Sequence, residues 1–211
     1  WTAATGVISN SGLTGNSVAV GTNSPNSLFE VKDYITFYTG SSEANTFIGY
    51  HSGMNYNDDM EKNVGIGHQV MALAAKTTGI NAPQENTAVG YHSLKHITQG
   101  KLNTAIGTDS LQELTTGQYN VGVGNEAGDS ITTGTENVCM GYSAGSSITT
   151  GSNNVMIGRS AGTHDIGLTG GAQNIVIGDF SDVHDANALN QIVLGYNITS
   201  AGNNQFSFGN P

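Results

Sequence analysis

Asn86-Thr-Ala-Val-Gly90, Asn103-Thr-Ala-Ile-Gly107, Asn120-Val-Gly-Val-Gly124, Asn137-Val-Cys-Met-Gly141 and Asn154-Val-Met-Ile-Gly158 are five copies of one element, an Asn and a Gly bracketing a short apolar run. The element recurs at 45–49, 63–67 and 174–178, and looser copies end at Gly21, Gly195 and Gly209. From Gly49 onward the intervals between these glycines are 18, 23, 17, 17, 17, 17, 20, 17 and 14 residues. A period of 17 held over four steps is a structural repeat. It is too short for a helical hairpin and suits one winding of a β-solenoid.

The rest of the repeat is equally regular. A small pair or a Ser-Leu pair follows each glycine, as in Ser93-Leu94, Ser110-Leu111, Ala127-Gly128, Ala144-Gly145 and Ala161-Gly162. Then comes an aliphatic residue before a turn: Ile97-Thr-Gln-Gly100, Leu114-Thr-Thr-Gly117, Ile131-Thr-Thr-Gly134 and Ile148-Thr-Thr-Gly151. Two short strands per coil, joined at glycine corners, is the expected layout. The fold class is therefore all-β, a parallel β-solenoid of mostly 17-residue coils. Stacked at roughly 4.8 Å per coil, ten or eleven coils make a rod of about 50 Å. The Asn side chains should form a ladder from coil to coil, and the Thr residues should stack in the same way.

Alternation divides each strand into two faces. Counted back from the motif Gly, positions −3 and −1 are apolar or Thr, and they are assigned to the coil interior. Position −2 then points outward. It reads Phe47, Ala88, Ala105, Gly122, Cys139, Met156 and Val176, small and apolar where solvent would favour polar residues. This stripe is expected to contact other copies of the chain, three solenoids closing a heterologous ring, a homotrimer.

Composition narrows the function. The 211 residues include 30 glycines and one cysteine, and only 10% are charged, against about 25% in an average domain. The formal net charge is −10, and the six Lys and Arg are scattered, so nucleic acid and anionic membrane are poor partners. No apolar run is long enough to insert into a membrane. Cys139 occupies a small-residue position and reads as a buried hydrophobe.

Asn16-Ser-Val-Ala-Val-Gly21 resembles the Asn-Ser-Val-Ala-Ile-Gly repeat of the YadA-like heads of trimeric autotransporter adhesins. That resemblance implies a left-handed parallel β-roll with three chains side by side. The 17-residue form with Ala-Gly and Thr-Thr-Gly corners resembles viral and bacteriophage tail-fibre and host-attachment segments, which precede a self-cleaving intramolecular chaperone. The chain is accordingly expected to be a fragment, ending where such a chaperone would be removed. The likeness covers about residues 45–211 and implies a virion-surface location, with a bacterial cell surface as the alternative. Residues 1–44 are expected to form an N-terminal β cap, a partial coil plus a hairpin of 27–32 and 34–38, ahead of the repeat domain at 45–211.

Candidate chemistry is sparse. The position after each motif Gly holds Tyr50, Tyr91, Tyr142 and Tyr196 among polar residues. With His51 and His92 they are the candidate glycan-binding residues, since rings stack on sugars and amides bond hydroxyls. Asn55, Asn57, Asp59 and Glu61 alternate oxygen ligands as a calcium loop does, without its Gly. His164 and His184, each followed by Asp, lie one local coil apart. No cofactor is expected; the alternatives are calcium at the acidic loop and a metal ion held by His164 and His184. Gly141-Tyr-Ser-Ala-Gly145 and Gly158-Arg-Ser-Ala-Gly162 match the nucleophile-elbow pattern but recur at the repeat period, so they are corners. Asp109, Glu113, Glu126 and Asp129 are the nearest thing to the paired carboxylates of a glycan depolymerase. The sequence thus points to a non-enzymatic receptor-binding or spacer segment of a trimeric fibre that meets a host-surface polysaccharide or glycoprotein. A bacterial adhesin head and a depolymerase are the alternatives. Asn197-Ile-Thr199 is a lone glycosylation sequon.

Overall fold

The computed structural model describes residues 45–54, 59–73 and 82–209. Ten strands run in chain order: β1 Thr46–Ile48, β2 Val64–His68, β3 Thr87–Tyr91, β4 Thr104–Ile106, β5 Val121–Val123, β6 Val138–Met140, β7 Val155–Ile157, β8 Ile175–Ile177, β9 Ile192–Leu194 and β10 Phe206–Phe208. Each pairs in parallel with the next, giving one ten-stranded sheet in the order of the chain. The register follows the glycine intervals: Thr46 faces Val64, Thr104 faces Val121, Val155 faces Ile175, and Ile192 faces Phe206. The molecule is an all-β parallel solenoid of about nine turns.

Each coil carries one strand, not two. The second expected strand is reduced to single parallel bridges, such as Gln84 with Lys101 and Lys101 with Gln118. The Thr-Thr-Gly segment behaves likewise. Thr98, Thr115 and Thr132 donate their hydroxyls to the carbonyls of Thr115, Thr132 and Thr149, so side chain and backbone stack together without a regular strand. The hairpin and cap expected within 1–44, with the boundary at 44, lie outside the described residues.

The faces of the strands are the reverse of the sequence expectation. Position −2 is inside: Ala88, Ala105, Cys139, Met156 and Val176 are fully buried within their own chain. Gly122 is buried as well, and Phe47 packs against the core. Positions −3 and −1 point outward. The physical reason is the Asn at −4. Asn63, Asn86, Asn103, Asn120, Asn137, Asn154 and Asn174 are buried too. A strand alternates with period two, so an inward −4 forces an inward −2.

The Asn column is the ladder that the spacing implies. Asn120 Nδ2 donates to Asn103 Oδ1 (3.1 Å) and to the Gly134 carbonyl (2.9 Å). Asn120 Oδ1 accepts from the backbone N and the Nδ2 of Asn137. Only an amide both gives and receives in this way, which is why Asn persists at an interior position. At Gln191 the longer side chain leaves the ladder and bonds with His184, Ser200 and Asn203.

The interior is narrow, and its volumes compensate. In three coils a small −2 is met by a large fourth residue after the motif Gly: Gly65 with Met71, Ala88 with Leu94, Ala105 with Leu111. At Gly122 and Gly128 both positions are glycine, and Leu111 of the preceding coil lies against both. In three further coils a larger −2, Phe47, Cys139 or Met156, is met by glycine. A Cβ on Gly53 would lie 2.6 Å from the Phe47 ring, on Gly145 2.5 Å from Cys139 Sγ, and on Gly162 2.4 Å from Met156 Sδ. The motif Gly has a different constraint. Gly124 sits at φ +140°, and a Cβ there would come within 2.4 Å of the Gly141 carbonyl oxygen. Side chains are thus excluded where successive coils touch backbone to backbone.

Candidate functional site

The residues after the motif glycines form one exposed column along a corner of the solenoid. Backbone bonds fix it: the amides of Gln69, His92, Asp109, Ser160 and Asn197 donate to the carbonyls of Tyr50, His68, Tyr91, Tyr142 and Asp179 in the preceding coil. Tyr50, Tyr91, Tyr142 and Tyr196 all project into solvent from it, between 44% and 62% exposed.

The column divides into two environments. At its N-terminal end the rings stack on each other. Tyr50 lies 5.0 Å from His68, and His68 lies 5.1 Å from Tyr91, with planes within about 26°. His51 and His92 sit 3.8 and 3.7 Å from Tyr50 and Tyr91. The inner ring faces of this block are filled by neighbouring rings, so an incoming sugar meets edges, phenol groups and the outer faces. His92 is committed. Nε2 lies 2.6 Å from Gln69 Oε1, and Nδ1 lies 3.2 Å from Asp109 Oδ1. Burial, reinforced by Lys95, lowers its pKa below the usual histidine value. A neutral ring bonded to Asp109 through Nδ1–H needs Gln69 turned to donate to Nε2.

Further along, Tyr142 and Tyr196 flank Arg159 and Asp179. Arg159 lies 3.6 Å from Asp179, and its guanidinium covers the Phe180 ring at 4.2 Å. Phe180 meets Tyr196 and His164 edge-on. Spacing alone gave the Tyr column. His68 and Arg159 belong to the same spacing; Gln69 and Phe180, two residues after a motif Gly, were missed as partners of the column.

The remaining candidates are dispersed. His164 pairs with Asp165 at 3.0 Å, while His184 Nδ1 accepts from Gln191. Asn55 and Asn57 lie outside the described residues, and Glu61 is bridged to Gln84. Among the described residues no three His, Cys, Asp or Glu side chains group to hold a metal. Ser143 and Ser160 sit in left-handed corners, and the Ser143 hydroxyl donates to Glu126. Asp109 faces His92, and Glu113 lies 2.9 Å from His96. Asp129 differs. Its Oδ1 is buried without a hydrogen-bond partner, and burial, with Glu126 and Asp109 nearby, raises its pKa to about 6. Burial pushes the Cys139 thiol up to about 12.

Six of the seven residues expected to touch other chains, Ala88, Ala105, Gly122, Cys139, Met156 and Val176, are enclosed by the chain's own coils, and Phe47 is partly buried against the core. The apolar surface lies instead in the −3 and −1 columns. Of those twenty positions three are Thr, the other seventeen are apolar, and none is charged. Ile48, Ile66, Ile106, Met140, Ile177 and Phe208 are among the exposed ones. No protein-family model, curated protein or solved structure matches the chain.

Proposed function

We propose that the chain is a segment of a trimeric virion fibre or spike, a left-handed β-roll whose copies pack side by side and present the Tyr column to a host-surface glycan. The observation that carries this reading is the outward strand face. It carries Ile48, Ile66, Ile106, Met140, Ile177, Ile192, Phe206 and Phe208, each at least 37% exposed, in one uncharged strip over ten successive strands, and contiguous exposed apolar strips mark interaction surfaces. An uncharged apolar sheet face favours cover by copies of the chain, and three copies turned toward a common axis, each lending one half of its face to each neighbour, close a heterologous ring without leaving a free face. The −3 and −1 columns take the role that the sequence reading gave to −2.

Attachment without catalysis is supported by the carboxylates. Three of the four candidates, Asp109, Glu113 and Glu126, are each engaged with a neighbouring coil, and Asp129 is the exception. The net charge of −10 opposes nucleic acid as a partner. Sedimentation equilibrium tests the assembly: three times the 21.8 kDa chain mass is expected, and a monomer would overturn it. A glycan array tests the ligand. Binding that Tyr142→Ala and Tyr196→Ala abolish is expected, and an array with no bound glycan refutes the attachment role.

A further inference from the structure

The outward face is graded along its −3 column, while the −1 column runs Ile48, Ile66, Val89 and Ile106 through β1–β4 and becomes bulkier only at its last strand. In the −3 column all three threonines fall in β1–β4, valine fills β5–β7, and β8–β10 carry Ile175, Ile192 and Phe206. The −1 column ends in Leu194 and Phe208. Phe206 and Phe208 stand on the same face with rings parallel to within 7° and centroids 6.2 Å apart, and they are 62% and 77% exposed.

We propose that copies of the chain hold one another chiefly through β8–β10, with Phe206 and Phe208 as the anchor, and that the seam opens toward β1–β4. The proposal rests on the self-association argued above. Its reason is mechanical. Facing sheets stand as far apart as the side chains between them require, about 10 Å for an ordinary core. Phenylalanine in both columns of β10 holds the backbones wider than the mixed Thr, Val and Ile of β1–β4 bridge fully at the other end. The amide ladder holds successive coils at a constant rise from Asn45 to Asn174, which resists bending of the β1–β8 run toward a partner. Three stiff rods touching at the bulky end stay apart, or touch only loosely, at the slim end. The Thr hydroxyls of β1, β3 and β4 then keep their water, which avoids burying them unpaired.

Single cysteines at Thr87 and Ile192 test this, since native Cys139 is fully buried and gives little background. In the assembled protein, maleimide should label Thr87→Cys about as fast as in a dilute monomer and Ile192→Cys roughly a hundredfold more slowly. Equal protection of both sites in a particle of confirmed oligomeric mass overturns the grading while leaving the assembly intact. A monomeric mass with both sites fast refutes the assembly itself. A second comparison uses Phe206→Ser/Phe208→Ser against Ile48→Ser/Ile66→Ser. The first pair should raise the concentration for half-dissociation about a hundredfold and the second less than tenfold, with the β circular dichroism of each retained. The reverse order overturns the proposal.

Discussion

Gly145→Ala isolates the compensation that sets the core. Gly145 has φ +62°, and an added Cβ would sit 2.5 Å from Cys139 Sγ and 3.1 Å from Ile148 Cδ1. Two penalties add. The left-handed backbone costs an alanine about 1 kcal/mol relative to glycine. Overpacking a closed core costs about 1–3 kcal/mol. The total, about 2–4 kcal/mol, lowers the melting midpoint of a domain this size by roughly 5–15 °C. The backbone penalty alone is tolerated in this column, because Met71, Leu94 and Leu111 hold the same position at φ 49–50°. The steric part should therefore vanish when the sulfur is removed. Cys139→Ala alone loses a buried sulfur, about 1 kcal/mol. The double variant Cys139→Ala/Gly145→Ala should be more stable than the sum of the singles predicts, by about 1–3 kcal/mol. Thermal melts of the four proteins by circular dichroism decide it. Additive losses, or a Gly145→Ala protein that melts with the wild type, would refute the volume argument.

Asn120→Ala removes four side-chain hydrogen bonds and leaves two buried backbone groups, the Gly134 carbonyl and the Asn137 N–H, without a partner, and should destabilise by about 3–5 kcal/mol in urea titrations. Asn120→Asp should be no milder, since a carboxylate cannot donate to Gly134. Asp129 has a folded pKa raised from 3.8 to about 6, so the fold favours its protonated form. Its contribution to stability is complete below about pH 4 and is lost as pH rises through about 6, and Asp129→Asn should flatten that slope. Because the group is half-buried, the effect should not exceed about 1 kcal/mol. Cys139, buried and with its pKa near 12, should react with a disulfide reagent at pH 8 only as fast as the coil opens; prompt stoichiometric labelling of native protein would contradict its placement.

The register of the sheet was legible because backbone contact between coils admits only glycine at one point per turn. Counting glycines therefore counts turns, through the long interval that ends at Gly90 as well as through the 17-residue ones. The Asn and Thr ladders were legible for a related reason, since a polar side chain that recurs every coil meets its own copy. The facing of the strands was not, because both alternating sets are apolar and hydrophobicity cannot choose between them. Two signals could have chosen. Asn at −4 shares its parity with −2, and a residue that gives and receives amide bonds belongs inside. The reciprocal sizes at −2 and four residues after Gly, Phe47 with Gly53 or Ala88 with Leu94, also mark −2 as one side of a confined space. The Tyr column was legible as a column. That Tyr50, His68 and Tyr91 stack on each other was not, because ring orientation depends on side-chain rotamers that spacing does not determine.

The same parity that buries the amides makes the outer face significant. Once Asn holds the interior, positions −3 and −1 have no packing duty within the chain, and Thr there would suit both a strand and water. Thr does occupy Thr46, Thr87 and Thr104. From β5 onward the columns nevertheless carry only Val, Ile, Leu, Met and Phe, which strand propensity alone does not require. Meanwhile the charges, such as Lys62 and Glu85 or Arg159 and Asp179, lie off that face, at the corners. An exposed apolar sheet is a liability that soluble chains blunt with charge. This chain has sixteen acidic residues and sets none of them in the twenty outward positions. A surface kept free of charge along ten successive strands, beside corners where charge is admitted, is what the proposed covering by copies of the chain would require.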